Sequence, residues 1–125
     1  MAFPAVGNNK QVVIRNTERE FVFKISNTDS STIVLADMAY QGVAPSGTHL
    51  LKVLWSNDTT GTNNLELTRG TLGSDPIELM YLHGIGSFDF ESMGLELTER
   101  SSENLNIVSS GSGHKFTLIC FLRKF

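Results

Sequence analysis

Three histidines, a neighbouring pair of carboxylates, one tryptophan and one cysteine are the side chains here with most chemistry to offer, and their spacing limits what they can do. His49, His83 and His114 are far apart in the chain and lack the short ligand spacing of a zinc site, so exposed or core-edge positions are expected for them. Asp89 and Glu91 stand two apart in an extended stretch and point the same way. Such a pair could offer oxygens to a sugar or to Ca²⁺. Retaining glycoside hydrolysis, however, needs carboxyls about 5 Å apart that face each other across a cleft, so a solvated strand face is the plainer reading. His83-Gly84-Ile85-Gly86 has the glycines of a phosphate loop. It lacks the Lys-Ser/Thr pair, the full dinucleotide fingerprint and a following helix whose N–H groups would hold an anion, and it reads as a turn. The serines have no base at motif spacing and no G-x-S-x-G elbow. No catalytic, cofactor-binding or metal-binding residue is assigned, and a protein that is not an enzyme is expected.

The remaining chemistry-bearing residues point inward. Cys120, the single cysteine, sits in an apolar run and reads as a buried, unreactive thiol; alone it cannot form an intrachain disulfide. Trp55 follows Val53 by two positions, which favours packing on a core face over a stacking platform for sugars. A net charge of -3, with ten scattered Lys and Arg, argues against a nucleic-acid groove, which needs a concentrated positive field, and against an anionic membrane surface. The opening MAFPAVGNNK has neither the basic nor the apolar region of a secretory leader, and no run approaches the roughly 20 apolar residues of a membrane span.

The elements that must position these residues are strands. His114–Phe125 alternates with Phe116, Leu118, Cys120 and Leu122 on one face, while Ile119 and Phe121 make the other face apolar too. A strand of that kind belongs in the centre of a sheet. Further period-two runs are expected at Gln11–Asn16, Phe21–Asn27, Thr32–Met38, Leu50–Ser56, Asn64–Arg69, Ile77–Leu82 and Asn104–Val108, with shorter ones around Phe88 and Phe90 and around Leu95 and Leu97. In Leu50–Ser56, strict alternation puts Leu51, Val53 and Trp55 on one side and Leu50, Lys52 and Leu54 on the other. Asn16–Glu20 is short enough for a hairpin, and Ala39–Thr48, punctuated by Gly42, Pro45 and Gly47, suits a crossing between sheets. Strands about ten residues apart, divided by Gly, Asn, Asp and Ser, predict an all-β fold: an antiparallel β-sandwich, jelly-roll or Ig-like, or a small barrel. One domain over residues 11–125 follows from the length. Residues 1–10 form an extended N-terminal arm whose apolar Phe3 and Val6 could dock on a neighbouring subunit; a frayed end or an edge strand of the same domain fits the same residues.

From Leu50 to Phe125 the chain resembles small virion proteins of tailed bacteriophages that decorate or stabilise the head. The resemblance rests on Val53-Leu54-Trp55-Ser56, a polar turn, Leu65-Glu66-Leu67, a Gly-rich stretch with Phe88-Asp89-Phe90, and a closing strand Thr117–Lys124 with Arg123-Lys124. The chain departs from that pattern in a shorter loop before Phe88 and a less charged strand after Ser56. The resemblance implies a structural virion protein, made in the host cytoplasm and added to the capsid surface. It would bind the major capsid protein across subunit junctions as a homo-oligomer, for which a trimer at a threefold position fits. The residues nominated for capsid or oligomer contacts are Phe3, Val6, Phe88, Phe90, Phe121 and Phe125. Trp55 and Phe88-Asp89-Phe90 leave a second function open, a carbohydrate- or host-surface-binding module of a phage tail or fibre.

Overall fold

Alternation along the chain decides which side chains leave water, and the computed structural model places them between two antiparallel sheets. It describes residues 11–27, 29–58, 63–71, 73–90, 102–110 and 114–125; the N-terminal arm and the segment around Leu95 and Leu97 lie outside them. The strands are β1 (Gln11–Asn16), β2 (Glu20–Ser26), β3 (Ser31–Ile33), β4 (Thr48–Asn57), β5 (Leu65–Arg69), β6 (Ile77–Tyr81), β7 (Ile85–Asp89), β8 (Leu105–Ser109) and β9 (Phe116–Lys124). One sheet has the order β1-β2-β9-β4-β7 and the other β3-β8-β5-β6. The sets β2-β9-β4-β7 and β3-β8-β5-β6 have the strand order of a jelly roll, with β1 folded onto the first sheet by the Asn16–Glu20 hairpin.

β9 is the middle strand of the larger sheet, paired with β2 on one side and β4 on the other. Its inward residues Leu118, Cys120 and Leu122 join Phe21, Phe23 and Ile25 of β2 and Leu50 and Val53 of β4. The smaller sheet answers with Ile33, Leu65, Leu67, Leu105 and Ile107. Each large apolar side chain taken fully out of water contributes about 1.5–3 kcal/mol before the entropy of ordering it is counted. Cys120 lies in this core with no exposure, and burial pushes its thiol well above the usual range, so it stays protonated and unreactive.

Two local expectations need correction. The run Thr32–Met38 is a strand only at its start: after β3 the chain closes into a short 3-10 turn at Leu35–Met38. The Asp37 carboxylate accepts a hydrogen bond from the Val34 N–H at 3.0 Å, offering the backbone a local partner in place of a sheet ladder. In β4, strict alternation fails at Leu51. The pairing with β9 passes from Leu50 opposite Leu122 directly to Lys52 opposite Phe121, leaving Leu51 as a bulge. Leu50 and Val53 therefore share the core face, and the face assignment made from alternation holds only after the bulge. The freed Leu51 carbonyl accepts from the Phe90 N–H at 2.9 Å.

Across from Trp55 in the pairing of β4 with β7 stands Gly86. A Cβ added at Gly86 would lie 2.6 Å from Trp55 Cζ2, so glycine is required there by the ring rather than by the backbone. Gly84, by contrast, has φ +66 and open space around it, the signature of a turn. Gly86→Ala is expected to cost about 1–3 kcal/mol through overpacking and to change Trp55 fluorescence. Gly84→Ala should cost about 1–2 kcal/mol through backbone strain and leave the folded emission spectrum alone. Denaturation followed by Trp55 separates the two; wild-type stability and emission in Gly86→Ala would show that the ring does not rest there.

Candidate functional site

The aromatic residues nominated as contacts separate into two groups. Phe90 is 3% exposed and belongs to the core, drawn inward by its hydrogen bond to the bulged Leu51, so it is not a surface contact in this fold. Phe88 lies opposite Val53, half-buried against the same core, with its ring centroid 4.6 Å from that of Phe90. Phe121 points out from β9, half-buried, with the Lys52 ammonium 5.7 Å from its ring centroid. Phe125 is 39% exposed and meets His49 edge-on at 4.5 Å. Phe3 and Val6 lie outside the described residues. Beside Phe121 the outer face of the large sheet carries Val22, Ile119 and Leu54, interrupted by Lys24 and Lys52.

More exposed apolar side chains stand on the edge strands β6 and β7: Ile77 opposite the inward Arg69, Tyr81 opposite Glu66 on the outer face, and Ile85 opposite Ser56 on the outer face of the other sheet. Ile77 is 67%, Tyr81 63% and Ile85 85% exposed. Next to them, the Glu66 carboxyl is pushed upward by partial burial and a hydrogen bond to Glu78. Glu78 is held downward by its bonds to the Tyr81 hydroxyl and to Glu66, and Tyr81 is raised to about 12 by the two carboxylates. The two carboxyls and the Tyr81 hydroxyl thus form one hydrogen-bonded group across the β5–β6 pairing. Asp89 is half-buried and opposite Lys52 in register; Glu91 lies outside the described residues.

One end of the sandwich is closed by His114, which is 1% exposed, at the edge of the core. Its Nδ1 accepts from the Ser110 N–H at 3.3 Å, which leaves Nε2 as the protonated nitrogen, donating to Asn57 Oδ1. Asn57 Nδ2 in turn donates to the Leu82 carbonyl at 2.7 Å. One neutral imidazole therefore ties together the turns after β4, β6 and β8. Trp55 completes this end: half-buried against the core, it donates its indole N–H to the His83 carbonyl at 3.1 Å.

The opposite end holds two buried cations. Lys124 is 7% exposed, with Nζ donating to Asn16 Oδ1 and to the Thr17 carbonyl at 2.7 Å, between the rings of Phe21 and Tyr40 at 5.9 Å each. Arg69 is 2% exposed and donates to the Glu103 carbonyl at 3.2 Å and to Thr48 Oγ1 at 3.0 Å, while its Nε has no acceptor. Neither forms an ion pair among the described residues, where the Arg15–Glu20 contact at 3.8 Å is exposed. Burial lowers both: Arg69 to about 10, Lys124 below the usual lysine value. Above Lys124 opens a cleft of about 480 Å³, walled by Tyr40, Val43, Pro45 and Phe125, with Glu18 on its rim. Its outer wall is a tight two-residue turn. Tyr40 and Val43 exchange backbone hydrogen bonds of 3.0 and 3.1 Å across Gln41 at φ 52 and Gly42 at φ 81.

Lys124 and Arg69 were missed as functional candidates although the strand period carries the signal. Lys124 continues the inward set Phe116, Leu118, Cys120, Leu122, and Arg69 continues Leu65, Leu67. The three histidines do not converge, and among the described residues no three His, Cys, Asp or Glu side chains gather to hold a metal. No helix among those residues is long and apolar enough to cross a membrane.

No family model and no curated protein matches the sequence. Among solved structures, the chain is similar to a cupin domain from Bordetella pertussis Tohama I at 13% identity and a TM-score of 0.38, over 92% of this chain and 91% of that one. It is also similar to an uncharacterised conserved protein with a double-stranded β-helix domain from Klebsiella pneumoniae subsp. pneumoniae, at 10% identity and a TM-score of 0.39, over 97% of this chain and 80% of that one.

The His114 network fixes the sign of an acid response. Burial holds the imidazole below its ordinary value of 6.5, against the pull of Asp58, so the unfolded chain takes up the proton first. The contribution of His114 to stability is complete above about pH 6.5 and is lost as pH falls from there through the folded value. His114→Gln should flatten that part of the pH–stability profile relative to wild type; identical profiles would show that His114 titrates normally. Asn57→Ala leaves the His114 Nε2–H and the Leu82 carbonyl without partners and is expected to cost about 1–3 kcal/mol for each buried group so stranded. Urea denaturation at pH 7.5 measures it.

Proposed function

We propose that this chain is a structural virion protein that decorates and stabilises a tailed-phage capsid, binding the major capsid protein across subunit junctions as a homo-oligomer and catalysing nothing. The observation that carries the reading is the exposure of large apolar side chains on the two edge strands, Ile77 and Tyr81 on β6 and Ile85 on β7. Large apolar side chains left in water on sheet edges suit a surface that meets another protein. The outward face of β9, with Ile119 and Phe121, adds a second apolar strip, and the resemblance of residues 50–125 to head decoration proteins supplies the partner. A jelly roll suits the role without dictating it, since the same fold serves capsids, lectins and cupins. Stabilisation would follow mass action: copies that bind the intact lattice and not a disrupted one shift the balance toward the intact shell.

Mass spectrometry of purified virions is expected to find this chain at tens to hundreds of copies per particle, and electron microscopy to place the domain over capsid subunit junctions. Ile85→Lys with Tyr81→Lys should weaken binding to capsids lacking the protein by about tenfold or more, the scale of losing two apolar anchors, with folding unchanged. Absence from purified virions would end the proposal. Glycan panels are expected to leave Trp55 fluorescence unchanged; saturable quenching would favour a carbohydrate-binding module instead.

A further inference from the structure

We propose that the cleft between the Tyr40–Val43 turn and the end of β9 binds a small monocarboxylate with an apolar body, its carboxylate seated against the Lys124 ammonium. The proposal goes beyond the capsid reading, because this cleft shares no residue with the edge strands β6 and β7. Three observations converge on it. First, Lys124 is 7% exposed yet faces only neutral oxygens, Asn16 Oδ1 and the Thr17 carbonyl, so one of its three N–H donors has no oxygen acceptor among the described residues. Second, a further buried cation stands behind it. Lys124 pairs in register with Thr48, and Thr48 is the residue to which Arg69 donates. Two buried cations without an ion pair among the described residues therefore stand at one end of a chain with net charge -3. Third, the cleft has the volume of a small-molecule site, about 480 Å³, and its walls are the Tyr40 ring, Val43, Pro45 and Phe125.

Charge and shape together select the ligand class. A bare inorganic anion would leave the apolar walls wet, and a neutral apolar molecule would leave the ammonium uncompensated. A carboxylate on an aromatic or aliphatic body satisfies both, and the desolvation that lowers the Lys124 pKa would be relieved by the bound negative charge. Glu18, exposed on the rim, opposes an anion and so caps the affinity.

The test uses the full chain and 4-phenylbutyrate, followed by backbone amide shifts. Saturable shifts confined to Tyr40, Val43, Ser46, Lys124 and Phe125 are expected, with 4-phenylbutyramide at least about tenfold weaker because it cannot form the charge-assisted bond. Glu18→Gln should tighten binding roughly two- to fivefold, the scale of one removed surface charge. Lys124→Met should abolish the response. Because that variant also strips Asn16 and Thr17 of their donor, Val43→Asp, at an exposed turn position, serves as the second variant and should weaken binding by a similar charge and contact effect. No saturable shifts at about 20 mM, equal binding of acid and amide, or shifts mapping elsewhere would each overturn the proposal. None of these outcomes bears on whether the chain is found in virions.

Discussion

The structure depends on one strand being apolar on both faces. β9 lies between β2 and β4, and its side chains must be dry on the inner face and largely covered on the outer one for the pairing to hold. With β9 in the centre, β2 and β4 inherit its register. Phe23 falls opposite Cys120 and Cys120 opposite Val53, so three strands place one continuous apolar row against the smaller sheet. That row lets a chain of 125 residues bury a core without disulfides, because pairing with β2 on one side and β4 on the other gives the β9 backbone ladder partners where it leaves water. Lys124, at the end of the same strand, is the cost of continuing the inward period one residue beyond the apolar set. Its ammonium is tolerated because Asn16, Thr17 and two rings surround it.

Most of the architecture was legible because it follows from period-two alternation, which a single sequence displays. The central position of β9 followed from Ile119 and Phe121, and the Ala39–Thr48 segment does carry the chain from the small sheet to the large one. The bulges were not legible. At Ile14, Leu51 and Leu79 an extra residue enters one strand of a pair, and nothing in Leu50-Leu51-Lys52 distinguishes a bulge from continued alternation. That hidden residue decided the fate of Phe90, since only a freed Leu51 carbonyl brings its backbone in. The Thr32–Met38 error is of another kind, because Asp37 bonding to Val34 is local side-chain chemistry that period counting does not weigh.

The candidate sites were less legible than the fold for a related reason. The spacing of the histidines points to exposed or core-edge positions for them, and the burial of Arg69 and Lys124 was not foreseen. His114, Arg69 and Lys124 are held inside by neutral oxygens contributed by residues 21 to 108 positions away in the chain. Those partners come from turns whose positions depend on the whole strand order. Asn57 reaches His114 only because the end of β4 lies beside the start of β9, and Asn16 reaches Lys124 only because the β1–β2 hairpin folds over the other end of β9.

The sheet edges differ in how open they are to pairing. At the β1 edge a bulge at Ile14 breaks the ladder, and at the β3 edge the strand has three residues, too short to template another. β6 carries a bulge at Leu79 and the Glu78 carboxylate. Each is a device that discourages pairing between copies. β7 has no bulge: its five residues pair with β4 in unbroken register, with Ile85 almost fully in water at its start and the Asp89 carboxylate at its end. Gly86 lets the Trp55 ring lie against the backbone of that edge strand, which any larger residue would push away.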